Sequence, residues 1–173
     1  MKNNIHIDIE ENFLKEINKE LLMVCAYEAL MLGSNSLCSD SISVSITDSE
    51  IIRDLNKKYL NNDYATDVLA FPNDLSWNEG IKESFLEDNF NNDGYLGDIF
   101  ISFEKIIEQS KIYSLSPELE LNIILSHGIL HLLGYDHYDD NSKNEMDNLT
   151  VKVIENLKLD HKKAKISLGS RNE

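Results

Sequence analysis

The segment His127-Gly128-Ile129-Leu130-His131-Leu132-Leu133-Gly134-Tyr135-Asp136-His137 places three of the chain's five histidines within eleven residues. His127 and His131 are four positions apart, so on a helix their rings project from one face with Cβ atoms about 6 Å apart. Two such rings can grip one cation. Gly134 then breaks the helix and lets the chain turn back, as a third ligand at His137 requires. Three imidazoles with one open position describe a catalytic zinc site, whereas a structural zinc is closed by four protein ligands. An isolated histidine pair at this spacing is more often an ordinary helix feature. Here the surrounding helix is apolar nearly all round, where imidazoles are costly to desolvate and coordination would satisfy them.

Spacing also limits the chemistry. The three histidines and the glycine match the zinc-protease pattern H-E-x-x-H-x-x-G-x-x-H, but Gly128 stands where that pattern needs a glutamate as general base. This speaks against peptide hydrolysis. The ion could still act as a Lewis acid on a phosphoryl or carbonyl oxygen and lower the pKa of its bound water. Among the carboxylates, Asp98 beside Gly97 has two readings. It is either a base or histidine-orienting group in the cleft, or a partner for a backbone donor. Asp136 and Asp67 read as carboxylates that support a histidine or join a polar network, with Asp67 leaning to the structural role. Tyr135 either stacks a base or covers the helix end.

Several elements must position these groups. Ile5, Ile7 and Ile9 alternate with polar residues, as do Ile42, Val44 and Ile46, and both runs read as strands with one buried face. From Phe13 to about Leu32 the apolar spacing is helical, with Gly33 as a stop. Thr47-Asp48-Ser49-Glu50 fits a capping box opening a helix that runs to about Tyr59. Val68 to Phe71 reads as a strand ended by Pro72, and Leu96 to Ser102 as another, followed by a helix from Phe103 to Tyr113. Between them, residues 73–95 are acidic and Asn-rich, an irregular excursion that Trp77, Phe85 and Phe90 would anchor. Ser116-Pro117-Glu118 is a strong helix start, and the helix it opens is the buried central one carrying the histidines. A last helix covers about Ser142 to Leu157. The predicted class is α+β: one domain over residues 1–157, a small mixed sheet of about four strands flanked by about five helices. Residues 158–173, with Lys162, Lys163 and Lys165, read as a short basic tail.

Composition narrows the function classes. The 173 residues hold 16 Lys+Arg against 31 Asp+Glu, a net charge of −15. Such a chain is pushed away from nucleic acid and anionic membranes as a whole, so an anionic substrate needs a local positive site. Cys25 and Cys38 are too few for a disulfide framework and form no CxxC pair. They read as thiols in a reducing compartment. The N-terminal MKNNIHIDIEEN lacks an apolar signal core, and no stretch reaches the ~20 apolar residues of a membrane span. The expected location is the cytoplasm.

HGILHLLGYDH resembles the signature of the YbeY family of bacterial rRNA-maturation endoribonucleases. Thr66-Asp67-Val68-Leu69-Ala70-Phe71-Pro72 is similar to that family's TDVLSFP stretch, and Leu96-Gly97-Asp98-Ile99-Phe100-Ile101-Ser102 to its LGDI strand. The likeness runs in order from about Ile42 to Leu157. It implies one zinc ion held by His127, His131 and His137. It also implies hydrolysis of single-stranded RNA during 16S rRNA 3′ maturation and ribosome quality control, with the small subunit and its assembly factors as partners. One departure stands out: the family's L-N-x-x-[YF]-R ends here in Leu60, and leucine cannot hold a phosphate or stabilise an extra negative charge. Lys57 is the nearest substitute cation, with Lys58 and Arg53 close by. Expected catalytic residues are therefore His127, Asp98 and Lys57. The alternative is a metal-binding ribosome-assembly factor with little hydrolysis; a zinc peptidase is a weaker third reading.

Overall fold

Four strands, β1 (Asn4–Ile9), β2 (Ser41–Thr47), β3 (Val68–Pro72) and β4 (Tyr95–Ser102), form one sheet in the order β1-β2-β4-β3 in the computed structural model, which describes residues 4–34, 41–73 and 94–171. β1–β2 and β2–β4 are parallel, whereas β3 runs antiparallel to β4. The sheet is mixed, as predicted. β3 lies on an edge, which is why Pro72 can end it without removing an interior ladder bond. The register aligns Ile7 with Val44, Val44 with Ile99, and Ile99 with Ala70. Paired positions share a face, so the alternating apolar residues of all four strands point the same way. Helices α1 (Lys19–Gly33) and α4 (Pro117–Leu132) supply the opposite half of that core. Ile99 and Ile101 are fully buried there, each contributing roughly 1.5–3 kcal/mol relative to exposure.

The remaining helices are α2 (Ser49–Leu60), α3 (Phe103–Ile112), α5 (Asp140–Asn156) and α6 (His161–Ser170). Several boundaries differ from those read in the sequence. The stretch from Phe13 is not yet α1: Glu11–Phe13 make a 3-10 turn, and the Asn18 side chain caps α1 by accepting from Leu21 N–H at 3.1 Å. Phe13 is apolar because its ring packs on Phe103, 5.1 Å between centroids. The cap of α2 is Asp48, whose carboxylate accepts from Ile51 N–H at 2.9 Å. Thr47 is still in β2, and its hydroxyl donates instead to Glu10. The Ser116 cap and Pro117 start of α4 are as predicted, and the helix is buried almost all round.

Within 158–173, the stretch read as a basic tail, His161–Ser170 fold as α6. Ala164 and Leu168 pack with Leu119, Ile123 and Ile154 in a second apolar cluster. The polar composition hid this narrow i, i+4 stripe, while Lys162, Lys163 and Lys165 are exposed on the other side. Trp77, Phe85, Phe90 and Cys38 lie outside the described residues. Among those described, no helix is long and apolar enough to cross a membrane.

Candidate metal centre

The last turns of α4 carry His127 and His131 on one face, with their Nε2 atoms 3.0 Å apart. The helix ends in a Schellman turn. Gly134 takes φ +90°, its N–H donates to His131 C=O at 3.0 Å, and Tyr135 N–H donates to Leu130 C=O at 3.0 Å. A side chain at that φ would be strained, so glycine is needed for the chain to reverse here. The reversal delivers His137, whose ring centroid lies 5.5 Å from that of His127 and 5.1 Å from that of His131. One ring nitrogen from each of the three lies within 4.8 Å of the other two. Asp136 Oδ1 accepts the His137 N–H at 2.6 Å and fixes the turn that presents it.

The same turn orients a ligand. His131 Nδ1 is 3.1 Å from the Tyr135 carbonyl, which can only accept, so Nδ1 carries the proton and Nε2 presents its lone pair to His127. His127 is buried, and its pKa is pushed down to about 3, first by burial and then by the neighbouring His131 and His137. A neutral imidazole is the form that binds a cation. Donor set and spacing fit zinc: tetrahedral Zn–N bonds of ~2.0–2.1 Å place two nitrogens about 3.3 Å apart.

An open cleft of about 530 Å³ adjoins the trio, lined by His127, His131, Asp136, Leu60 and the β3 residues Val68 and Ala70 among others. No lysine or arginine is among the described lining residues. Leu60 thus occupies the cleft wall itself, while the cations of α2 do not. Lys57 Nζ pairs with Asp63 at 2.8 Å, and Arg53 Nε pairs with the same carboxylate at 2.6 Å. These contacts hold the Asp63 carboxyl below its usual range, with the Lys57 bond first. Lys58 lies over the Tyr59 ring. Lys57, expected to serve the site, lies on an exposed face of α2, where Asp63 compensates its charge.

Asp98, also expected to serve the site, is placed by its strand. Its neighbour Ile99 faces α4, where a Cβ on Gly128 would sit 3.3 Å from Ile99 Cγ2. Strand alternation therefore turns Asp98 to the opposite face of the sheet. There it is paired in register with Phe71 and accepts from the Tyr95 hydroxyl at 2.7 Å. Burial and this carboxylate push the Tyr95 pKa up. Asp67 is structural, accepting from Val68 N–H, Thr66 hydroxyl and Gln109. Gly128 faces the sheet, so a glutamate there would be driven against Ile99 and Val68. The protease base is missing from the sequence, and this packing has no room for it. Cys25 is a buried thiol against Ser126 and Asn122, its pKa pushed up to about 12 by burial, which suits packing and not reactivity.

The sequence left Tyr135 open and did not identify its carbonyl as the group that sets the His131 tautomer. The only signal was the glycine before it, which marks a helix end but not which carbonyl turns inward.

A mixed sheet and a buried helix presenting three convergent imidazoles beside an open cleft define a protein built to hold a metal ion at that cleft. Comparison with known proteins narrows this. The profile of the family described as Endoribonuclease YbeY matches residues 1–158. A protein named Endoribonuclease YbeY from Syntrophomonas wolfei is 36% identical over 149 residues, covering 86% of this chain and 92% of that protein. Another of that name, from Caldanaerobacter subterraneus, is 38% identical over 157 residues, covering 90% and 98%. The solution structure of TM1509 from Thermotoga maritima superposes with a TM-score of 0.56 at 25% identity, covering 88% of each chain. The chain belongs to the endoribonuclease YbeY family.

Proposed function

We propose that this protein is a zinc-dependent, single-strand-specific endoribonuclease with one ion held by His127, His131 and His137. The observation that carries the reading is the convergence of the three ring nitrogens within 4.8 Å at the edge of a cleft. A zinc ion there supplies Lewis acidity toward a phosphodiester oxygen and acidifies water. The chain's own residues do the rest. Tyr135 C=O holds the His131 proton on Nδ1 and so directs Nε2 inward. Asp136 is the carboxylate among the described lining residues; its Oδ1 is engaged by the His137 amide, and we assign Oδ2 to accept a proton from the attacking group. Leu60, Val68 and Ala70 form an apolar wall on one side of the open cleft.

Family membership supports 16S rRNA 3′ maturation and ribosome quality control as the setting, with the small subunit and assembly factors as partners and the cytoplasm as location. Cleavage of a single-stranded RNA by the purified protein tests the reading. His127→Ala should abolish it, and equal cutting by both preparations would refute the assignment.

A second reading, a metal-holding assembly factor with weak hydrolysis, is favoured by Leu60 in the cleft wall with no lysine or arginine among the described lining residues. Leu60→Arg separates the two. A gain of about tenfold or more in cleavage would show that a missing phosphate contact limits turnover, and no gain would show that it does not.

A further inference from the structure

We infer that the Tyr135 side chain is a positioning residue, a tether from the C-terminal end of α1 that holds the carbonyl orienting His131. The inference rests on the metal reading above and concerns a part of the molecule far from it in sequence. Tyr135 donates its hydroxyl proton to the Gly33 carbonyl at 3.1 Å, across 102 residues of chain. Gly33 ends α1, so its carbonyl is one of the acceptors a helix leaves without an internal partner. The bond therefore satisfies an end group of one helix with a side chain from the turn that closes another.

Packing makes this junction close. A Cβ on Gly33 would lie 2.6 Å from Leu133 Cδ1 and 2.8 Å from Leu130 Cδ2, with Tyr135 Cε2 next at 3.5 Å. α1 thus abuts the Schellman turn through a bare backbone position. Tyr135 is fixed at three points: its N–H to Leu130 C=O, its carbonyl to His131 Nδ1, and its hydroxyl to α1. The first two belong to the turn alone. The third ties the turn to the body of the core, so the direction of the carbonyl, and through it the His131 ring, is set by where α1 ends. Groups that orient a ligand typically change metal affinity by about 10–100-fold when lost.

Tyr135→Phe removes the hydroxyl while keeping the ring and the carbonyl. With cobalt(II) as spectroscopic probe and zinc competed against a chromophoric chelator, this variant should bind zinc about tenfold more weakly. Its cobalt absorption should be altered at saturation, with the urea unfolding midpoint of the metal-free protein measured alongside. Gly33→Ala, which keeps the hydroxyl but displaces the leucines at the junction, should shift affinity in the same direction by a smaller factor. His131→Ala serves as the reference for loss of a ligand. If Tyr135→Phe binds zinc as tightly as the native chain with an unchanged cobalt spectrum while His131→Ala does not bind, the tether is refuted and the metal centre stands. A lowered midpoint with native affinity and spectrum likewise refutes it, leaving only a structural role. If the native chain takes up neither ion, the metal reading fails and the inference with it.

Discussion

The two ends of α4 bury polar groups in opposite ways. Near its start, Glu120 is fully buried and pairs with Arg171 Nη2 at 2.7 Å, a guanidinium that also donates to Ser167 and lies over the Tyr113 ring. Burial pushes the Glu120 carboxyl up, with Arg171 opposing it. Glu120 Oε1 and Arg171 Nε have no hydrogen-bond partner among the described residues, so the pair is enclosed but imperfectly satisfied. At its far end the same helix and the turn that follows it gather like groups, three imidazoles, beside an open cleft. Opposite charges sealed inside stabilise or specify a fold; similar ligands converging on solvent have no folding purpose that requires their convergence. The difference separates scaffold from site on a single helix.

The largest expected effect lies at the sealed end. Arg171→Ala leaves the Glu120 carboxylate buried without its counterion, so urea denaturation should show a loss of about 3–5 kcal/mol. Zinc affinity of the folded fraction should be unchanged. Replacing both partners by apolar residues, Glu120→Leu with Arg171→Met, should recover most of that loss, since a buried pair can often be exchanged for apolar side chains as a unit. His131→Ala should do the reverse, eliminating metal uptake while changing metal-free stability by about 1 kcal/mol or less. Similar stability losses from both ends would erase the contrast.

Next in size is a pH dependence at the open end. His127 is held neutral in the fold, with a pKa of about 3 against an ordinary 6.5. The unfolded chain therefore binds the extra proton between those values. Stability from this group is fully present above about pH 6.5 and is lost as pH falls toward 3, by about 1.4 kcal/mol per pH unit. Denaturation of metal-free protein from pH 7 to 4 should show this slope, and His127→Leu should flatten it.

A smaller effect is expected from Gly128→Glu, which restores the protease spelling. Its side chain meets Ile99 and Val68, so it should cost about 1–3 kcal/mol as overpacking and confer no cleavage of an unfolded protein substrate. The smallest effects belong to Lys57→Ala and Asp98→Asn. Lys57 is in an exposed pair and should alter stability by less than about 1 kcal/mol. Neither should change cleavage of RNA beyond about twofold, because one lies outside the cleft lining and the other beyond the sheet.

Local patterns made much of this legible. Alternating isoleucines predicted β1 and β2, Ser116-Pro117 predicted the start of α4, and the i, i+4 histidines with Gly134 predicted the trio, because each is a short-range consequence of backbone geometry. Placement across elements was not legible in the same way. Asp98 and the histidines are 29 or more positions apart, and only the register of β4 beneath Gly128 decides that they face opposite sides. Lys57 looked available because its partner Asp63 lies past the left-handed Asn61 that ends α2. α6 was missed since its apolar stripe is two residues wide and the lysines around it dominate composition.

The most direct test is a zinc titration of metal-free protein followed by elemental analysis, run on the native chain and on His127→Ala, His131→Ala and His137→Ala. The account predicts one zinc per native chain and a loss of tight binding in each variant. Tight stoichiometric zinc in any of the three variants, or none in the native chain, would contradict it.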